Sequence, residues 1–425
     1  MSTPCLVLII AFFVFMIMGM PLAIAIGASS LISLMTAGLP GLLITQRTFY
    51  QLNSFSLMAI PIFILAGEIM DHAGITRSIV RFASALIGHI RAGLAQVTVL
   101  ASMLMAGVSG SAAADASALG SMLIPSMVDE GYPADFAVAV VAAANTIGPI
   151  IPPSIMMIIY GSMTGVSIGS MFMGGILPGI LFGVSLMVVI GLTSRNRDIP
   201  KHKRATLKQI GKAFMGALGA LVMPVIILGG ILTGWFTPTE SGVIAIAYAL
   251  LYGFVKRTLH IRDLKVIFLN AAKSSVTPMF LIGIAAVMGW VFANNDLPAL
   301  VGSVFSSITS SPAVFMALCW AFYLFLGMFM EDTAAMIIMV PIFAPLAATY
   351  GIDAVHFGVF TVVTMLIGCI TPPVGMLLFV ASAIGKIKVS QVYRSIIPMV
   401  IVLAFIALVI ALIPGIVTWI PGMLM

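Results

Sequence analysis

Long apolar runs separated by short polar punctuation dominate the chain. Residues 6–26 and 57–70 read as membrane spans, the second lightly broken by Pro61 and ending at Glu68, Asp71 and His72. Between them, 36–53 is more polar, contains Arg47, and suits a helix lying at the bilayer interface. Arg77, Arg81 and Arg91 follow on a segment too polar to cross. The runs 93–107 and 112–127 are each short for a 30 Å core. With Val-Ser-Gly-Ser (108–111) between them, they predict a re-entrant hairpin over 93–127. Arg91 before it and Asp129 and Glu130 after it keep both mouths on one side. Residues 135–164 form one helix interrupted by Gly-Pro-Ile-Ile-Pro-Pro-Ser (148–154), and 176–192 returns across the bilayer.

After a basic loop at 194–212, the same grammar recurs. Residues 218–233 cross, 241–255 return, 256–265 carry basic residues at an interface, and 276–292 cross again. A hairpin over 312–348 with Glu331-Asp332 at its tip precedes a second broken helix, 357–384, interrupted by Gly-Cys-Ile-Thr-Pro-Pro-Val (368–374). A last span covers 398–413. Gly107 and Gly327, Pro125 and Pro345, Gly131 and Gly351, Gly148 and Gly368, Pro152 and Pro372, and Pro178 and Pro398 each stand 220 residues apart. Glycine and proline punctuate the backbone, so one gapless offset through six of them predicts two structural repeats. The expected division is a first repeat at 1–193, a linker at 194–217 and a second repeat at 218–425.

Charge orients the repeats. Arg77, Arg81 and Arg91 correspond to Leu297, Val301 and Ser311, and Lys386, Lys388 and Arg394 to Val166, Ile168 and Gly174. Loops that are basic in one half are neutral in the other, so by the positive-inside rule the halves are inverted. With a cytoplasmic N-terminus and a periplasmic C-terminus, eighteen of the nineteen Lys and Arg residues fall inside, Arg47 being the exception. Trp235, Trp290 and Trp419 then lie near the outer interface. Composition agrees with the class: 61% hydrophobic, 8% charged, mean hydropathy +1.22. The net charge of +6 sits in loops beside apolar segments and is no nucleic-acid signal. Cys5, Cys319 and Cys369 lack metal-ligand spacing and read as small buried hydrophobes.

The candidate chemistry lies at the breaks. Proline has no N–H, so Pro152 frees the carbonyl of Gly148 and Pro372 that of Gly368; Pro153 and Pro373 free those of Pro149 and Cys369. Bare carbonyls persist at membrane depth only where they face protein, water or an ion. They are hard donors suited to sodium, and Ser154, Thr371, Val374 and the hairpin residues Ser109 and Gly327 complete two candidate cages. Kinking for packing alone is the simpler reading of any single break. Asn145 is either a cage ligand or a helix–helix hydrogen-bonder. Half-helix N-termini after the breaks, with Ser111, Asp115, Pro152, Asp332 and Pro372, suit an anionic substrate. Asp115 and Asp332 equally suit a cation or a wet cavity. Glu68 and Glu240 read as structural, and His356 as a solvated residue at the outer mouth. No nucleophile–base pair or nucleotide loop argues for an enzyme.

The motifs at 148–154 and 368–374, with Gly-Met-Phe-Met-Glu-Asp-Thr at 327–333, resemble the large membrane subunit of tripartite ATP-independent periplasmic (TRAP) transporters over essentially the whole chain. The resemblance implies an all-α, elevator-type importer in the bacterial inner membrane. It would be driven by two or more sodium ions and carry organic acids such as sialic acid or C4-dicarboxylates. It also implies a small four-helix membrane subunit, separate from this chain, and a periplasmic substrate-binding protein, with Arg47 a candidate for docking. Ile151 stands where the second half has Thr371, so the two ion sites do not share that hydroxyl. A self-sufficient sodium/dicarboxylate symporter is the alternative within this architecture.

Overall fold

The computed structural model describes residues 2–195 and 203–424, and these contain helices and no strand. Arg197, Asp198 and Lys201 of the basic loop lie outside the described residues. The chain opens with α1 (Thr3–Ile17) and α2 (Leu22–Thr36), which pack antiparallel, Ser33 Oγ donating to the carbonyl of Pro4 at 2.8 Å. The expected single span at 6–26 is therefore two helices. The turn at Met18-Gly19-Met20-Pro21 breaks it, because Gly19 adopts φ +77° and Pro21 cannot supply an N–H. Next come α3 (Leu42–Leu52), α4 (Ala59–His72), bent by 70° from α3, and α5 (Ile75–Ile87).

The first hairpin is α6 (Gly93–Ser109) and α7 (Ala112–Asp129), and the first broken helix is α8 (Ala134–Ala144), a short 3-10 turn, and α9 (Ile155–Thr164). Then α10 (Ile168–Thr193), α11 (Leu207–Leu232) and α12 (Pro238–Val255) follow. Thr206 with Gln209 and Thr237 with Glu240 form capping boxes that start α11 and α12, so Glu240 is structural and the linker ends at Thr206, eleven residues before 217. The separate segments expected at 256–265 and 276–292 are joined in α13 (Ile261–Asn294), which accommodates Pro278 in its interior. After α14 (Leu297–Ile308) come the second hairpin, α15 (Pro312–Gly327) and α16 (Asp332–Thr349), and the second broken helix, α17 (Ala354–Gly368) and α18 (Met376–Gly385). The chain continues through α19 (Val389–Leu412) and a helix not anticipated, α20 (Gly415–Leu424), which packs on α10. Six of these helices are long and apolar enough to cross a membrane, or up to eight if each sharply bent pair counts as one.

Element bounds keep the 220-residue spacing: α7 and α16 begin and end that far apart, and the fully buried stretches 136–150 and 356–371 begin that far apart. Those stretches are the centre of the molecule. A helix apolar on every side is stable only when surrounded, and α8 and α17 are enclosed by α6, α7, α10, α15, α16 and α19. A second group, α1–α4 with α11–α13, packs along the side of this core, α2, α3 and α4 lying on α13 and α12 on α4.

Two placements at the ends differ from the sequence reading. Ser2 Oγ donates to Asn295 Oδ1 at 2.5 Å, so the N-terminus sits on the same side as the turn after α13. The charge argument puts that turn outside and the N-terminus inside, and the Ser2–Asn295 contact does not allow both. His356 is buried rather than solvated, its Nε2 2.8 Å from the carbonyl oxygen of Ile410.

Candidate functional site

A cavity of about 930 Å³ lies where both hairpin tips meet both helix breaks. Four helices begin at its wall: Ala112–Ala114 of α7, Ile155 and Met156 of α9, Thr333 and Ala334 of α16, and Met376 and Leu377 of α18. Each presents N–H groups without intrahelical partners and the positive end of a dipole. Glu68, Asp71, Asp115, Glu331 and Asp332 line the same cavity, with no Lys or Arg among the lining residues.

The first tip is built by short local contacts. Ser109 Oγ donates to Asp115 Oδ1 at 2.6 Å and accepts from the Ser111 N–H at 3.2 Å, and Ser111 Oγ caps α7 by accepting from Ala114 N–H. Gly110 takes φ +62°, and a Cβ there would stand 2.6 Å from the carbonyl oxygen of Pro153, so only glycine lets the tip touch the break. Asp115 is 1% exposed, and its Oδ2 has no hydrogen-bond partner. That oxygen points at Gly148, where an added Cβ would approach it to 2.6 Å. Among the described residues the carbonyl of Gly148 accepts no backbone hydrogen bond. Ser154 caps α9 by accepting from Met157 N–H at 3.2 Å. Asn145 Oδ1 accepts from Ser102 at 3.1 Å, and its Nδ2 donates to the Val141 carbonyl at 2.7 Å.

The second tip is built differently. Glu331 caps α16 by accepting from Ala334 N–H at 2.9 Å, and Asp332 Oδ1 accepts from Thr333 N–H at 2.9 Å. Gly327 lies directly on Gly368, an added Cβ reaching within 2.7 Å of the Gly368 Cα. The carbonyls freed by Pro372 and Pro373 find new donors: Gly368 accepts from Thr371 N–H at 2.9 Å and Cys369 from Leu377 N–H at 3.0 Å. Thr371 Oγ1 donates to the Ile367 carbonyl at 2.7 Å, which leaves its oxygen lone pairs available.

The family of tripartite ATP-independent periplasmic transporters, DctM component, matches residues 9–416. The chain belongs to this family. It is 37% identical to the sialic acid TRAP transporter large permease protein SiaM of Vibrio cholerae, covering 87% of each chain. It is 36% identical to the C4-dicarboxylate TRAP transporter large permease protein DctM of the same organism, covering 96% of each. Among solved structures, the Alcanivorax borkumensis YdaH transporter superposes with a TM-score of 0.63 at 15% identity over 97% of this chain and 98% of that one, a likeness of fold. The relatives are permease subunits, and this TRAP large component is a transporter subunit rather than an enzyme.

Within this large permease, Ser109, Ser111, Asp115 and Asp332 come together on the cavity wall. Gly148, Ser154, Gly368, Thr371 and Val374 lie in the breaks and Gly327 at the end of α15, and neither they nor Pro152 and Pro372 line it. Arg47 stands apart, its guanidinium 5.0 Å from the centroid of the Trp290 ring. Glu68 is a correction, a cavity carboxylate rather than a purely structural one. Its neighbour in the wall, Gly67, packs against Ser109, which brings α4 to the hairpin tip. Pro149, Thr333, Ser274 and Thr277 also line the cavity. Of these, Pro149 was marked in the sequence by Pro153, which offers its carbonyl no N–H. Nothing in the sequence places α13 hydroxyls beside the tips.

Proposed function

We propose that this TRAP large permease carries an organic acid of the sialic acid or C4-dicarboxylate class into the cytoplasm, driven by two or more sodium ions. The cavity carries the reading. Four helix N-termini converge there on a wall with five carboxylates and no basic side chain. Each dipole favours an anion by about 0.3–1 kcal/mol, reaching about 2 kcal/mol when partly buried. One carboxylate about 4 Å from an anion costs about 4 kcal/mol at an effective dielectric of 20. The N-termini can orient an organic anion but cannot offset five acids, so bound cations supply the difference.

The proposed donor set is all hard oxygen, without sulfur or imidazole, which suits a hard cation such as sodium. The first cage is the Gly148 carbonyl with Ser109, Asp115 and Ser154, and Asn145 steadies it through Ser102. The second is Thr371, the remaining lone pair of Gly368, the Val374 carbonyl and the Gly327 contact. Pro152 and Pro372 act through the carbonyls they free, while Ser111, Asp115 and Asp332 flank the substrate. The supporting topology is two inverted repeats in the bacterial inner membrane, basic loops inside, with N- and C-termini both periplasmic. Glu68 and Asp71 lie at the end of α4 that leads to Arg77 and Arg81, so the cavity mouth is cytoplasmic. The hairpins and broken helices move as an elevator against α1–α4 and α11–α13.

Relatives of near-equal identity bear the names of different acids, so selectivity lies largely in a periplasmic binding protein, and a small membrane subunit braces the static helices. In proteoliposomes holding all three proteins, uptake should follow an inward sodium gradient and vanish when choline replaces sodium. Equal uptake under both gradients overturns the sodium reading. The chain alone should not take up free substrate; robust uptake by it alone would establish the self-sufficient symporter.

A further inference from the structure

The two breaks are held in place by different devices. At the first, Ser154 caps α9. The residue 220 positions later is Val374, and α18 starts after Gly375, at φ +60°, which has no side chain to cap with. The second loop is anchored from outside instead. Gly375 N–H donates to the carbonyl of Met328 at 3.2 Å, which ties the loop to the second hairpin. A side chain from α19 supplies the other anchor: the Tyr393 hydroxyl donates to the carbonyl oxygen of Pro373. Met173 occupies the equivalent place in α10 and has no hydroxyl. Pro153 is buried with its carbonyl oxygen against Gly110, whereas Pro373 is exposed. The first loop therefore takes its side-chain hydrogen bond from its own Ser154, and the second takes one from Tyr393 of a neighbouring helix.

We propose that Tyr393 is the positioning residue of the second ion site. Its hydroxyl fixes the Pro372-Pro373 segment so that Thr371 Oγ1 and the carbonyls of Gly368 and Val374 keep one geometry; it does not touch the ion. The proposal rests on the sodium reading above. It makes the two sites separable, since the first depends on a helix cap and the second on a tyrosine from a neighbouring helix.

The test uses the purified chain in detergent, with sodium chloride titrated against choline chloride at constant ionic strength while thermal unfolding is followed. Tyr393→Phe keeps the ring and removes one neutral hydrogen bond. The sodium concentration at half-maximal stabilisation should rise about fivefold, with the unfolding temperature in choline unchanged. Hydrogen exchange of the amides at 374–378 in choline should quicken, a readout that needs no ion. An unchanged sodium midpoint, or unchanged exchange, overturns the proposal. An equal fall in unfolding temperature in sodium and choline also overturns it, because Tyr393 would then serve packing alone. Should the wild-type chain itself show no difference between sodium and choline, the sodium reading fails first and takes this one with it.

Discussion

Gly327 and Gly368 face each other where the second hairpin meets the second break, and their contact leaves no room for a methyl group. An alanine at 327 would place its Cβ 2.7 Å from the Gly368 Cα, a backbone atom that cannot turn aside. Overpacking of this kind costs about 1–3 kcal/mol. Gly327→Ala should therefore lower the unfolding temperature and abolish uptake, whereas Gly229→Ala in α11, with nothing within 4 Å, should do neither. Thermal unfolding and uptake by the two variants check this. Thr371→Val probes the adjacent hydroxyl without changing shape. Loss of one contact to a charged group is worth about 1.5–3 kcal/mol, so the sodium concentration for half-maximal uptake should rise roughly tenfold or more. An unchanged sodium dependence would remove Thr371 from the cage. At this scale the sequence was informative where covalent chemistry dictates the outcome: Pro152 and Pro372 have no N–H to offer the carbonyls four residues back. It was uninformative where a partner comes from far along the chain. Arg47 on Trp290, Asn145 on Ser102 and His356 on Ile410 are satisfied by residues 243, 43 and 54 positions away, which no local pattern reveals.

Helices and their breaks were more legible than single side chains, because the spacing of apolar runs and prolines reports directly on whether a backbone can continue. Helices α6 and α7 run from 93 to 129, α8 and α9 from 134 to 164, α15 and α16 from 312 to 349, and α17 and α18 from 354 to 385. The misreadings have a common cause: hydropathy says that a run is apolar, not that it is straight. Residues 6–26 are apolar throughout yet turn at Gly19, while Pro278 sits inside a continuous α13. With the turn after α13 outside, the turn in the first run would place the start of the chain outside too, and this can be measured. Single cysteines replacing Ser2 and Ser306 should react with an impermeant thiol reagent from the periplasm, and those replacing Lys203 and Lys388 only from the cytoplasm. Cys5, Cys319 and Cys369 are buried, so background labelling should be low. Labelling of position 306 only from the cytoplasm would sink the inverted arrangement, and labelling of position 2 from the cytoplasm would detach the N-terminus from Asn295.

For the whole molecule, the decisive question is whether the core of hairpins and broken helices slides against the helices beside it. Repetition at 220 residues and the distribution of basic loops were readable from the sequence, since both are properties of order along the chain. Which helices form a moving body is a property of contacts, and α13 against α16 is the contact that tests it. Gly289 of α13 faces Pro341 of α16, and a Cβ built on Gly289 would lie 3.6 Å from that of Pro341. Disulfide-bonded pairs have Cβ atoms about 3.5–4.5 Å apart, so Gly289→Cys with Pro341→Cys should cross-link under mild oxidation. Neither residue lines the cavity or belongs to a proposed ion cage. Relief from a mid-helix proline should also leave α16 intact, because the substitution restores a backbone donor. If α16 travels past α13 during each cycle, the oxidised protein, reconstituted with its partner proteins, should lose uptake and regain it with reductant. Sodium-dependent thermal stabilisation should persist in the cross-linked form, because the cages move with the core and remain whole. Full uptake by quantitatively cross-linked protein would mean that α13 and α16 stay together, and the substrate would then have to cross by movement of the hairpin tips alone.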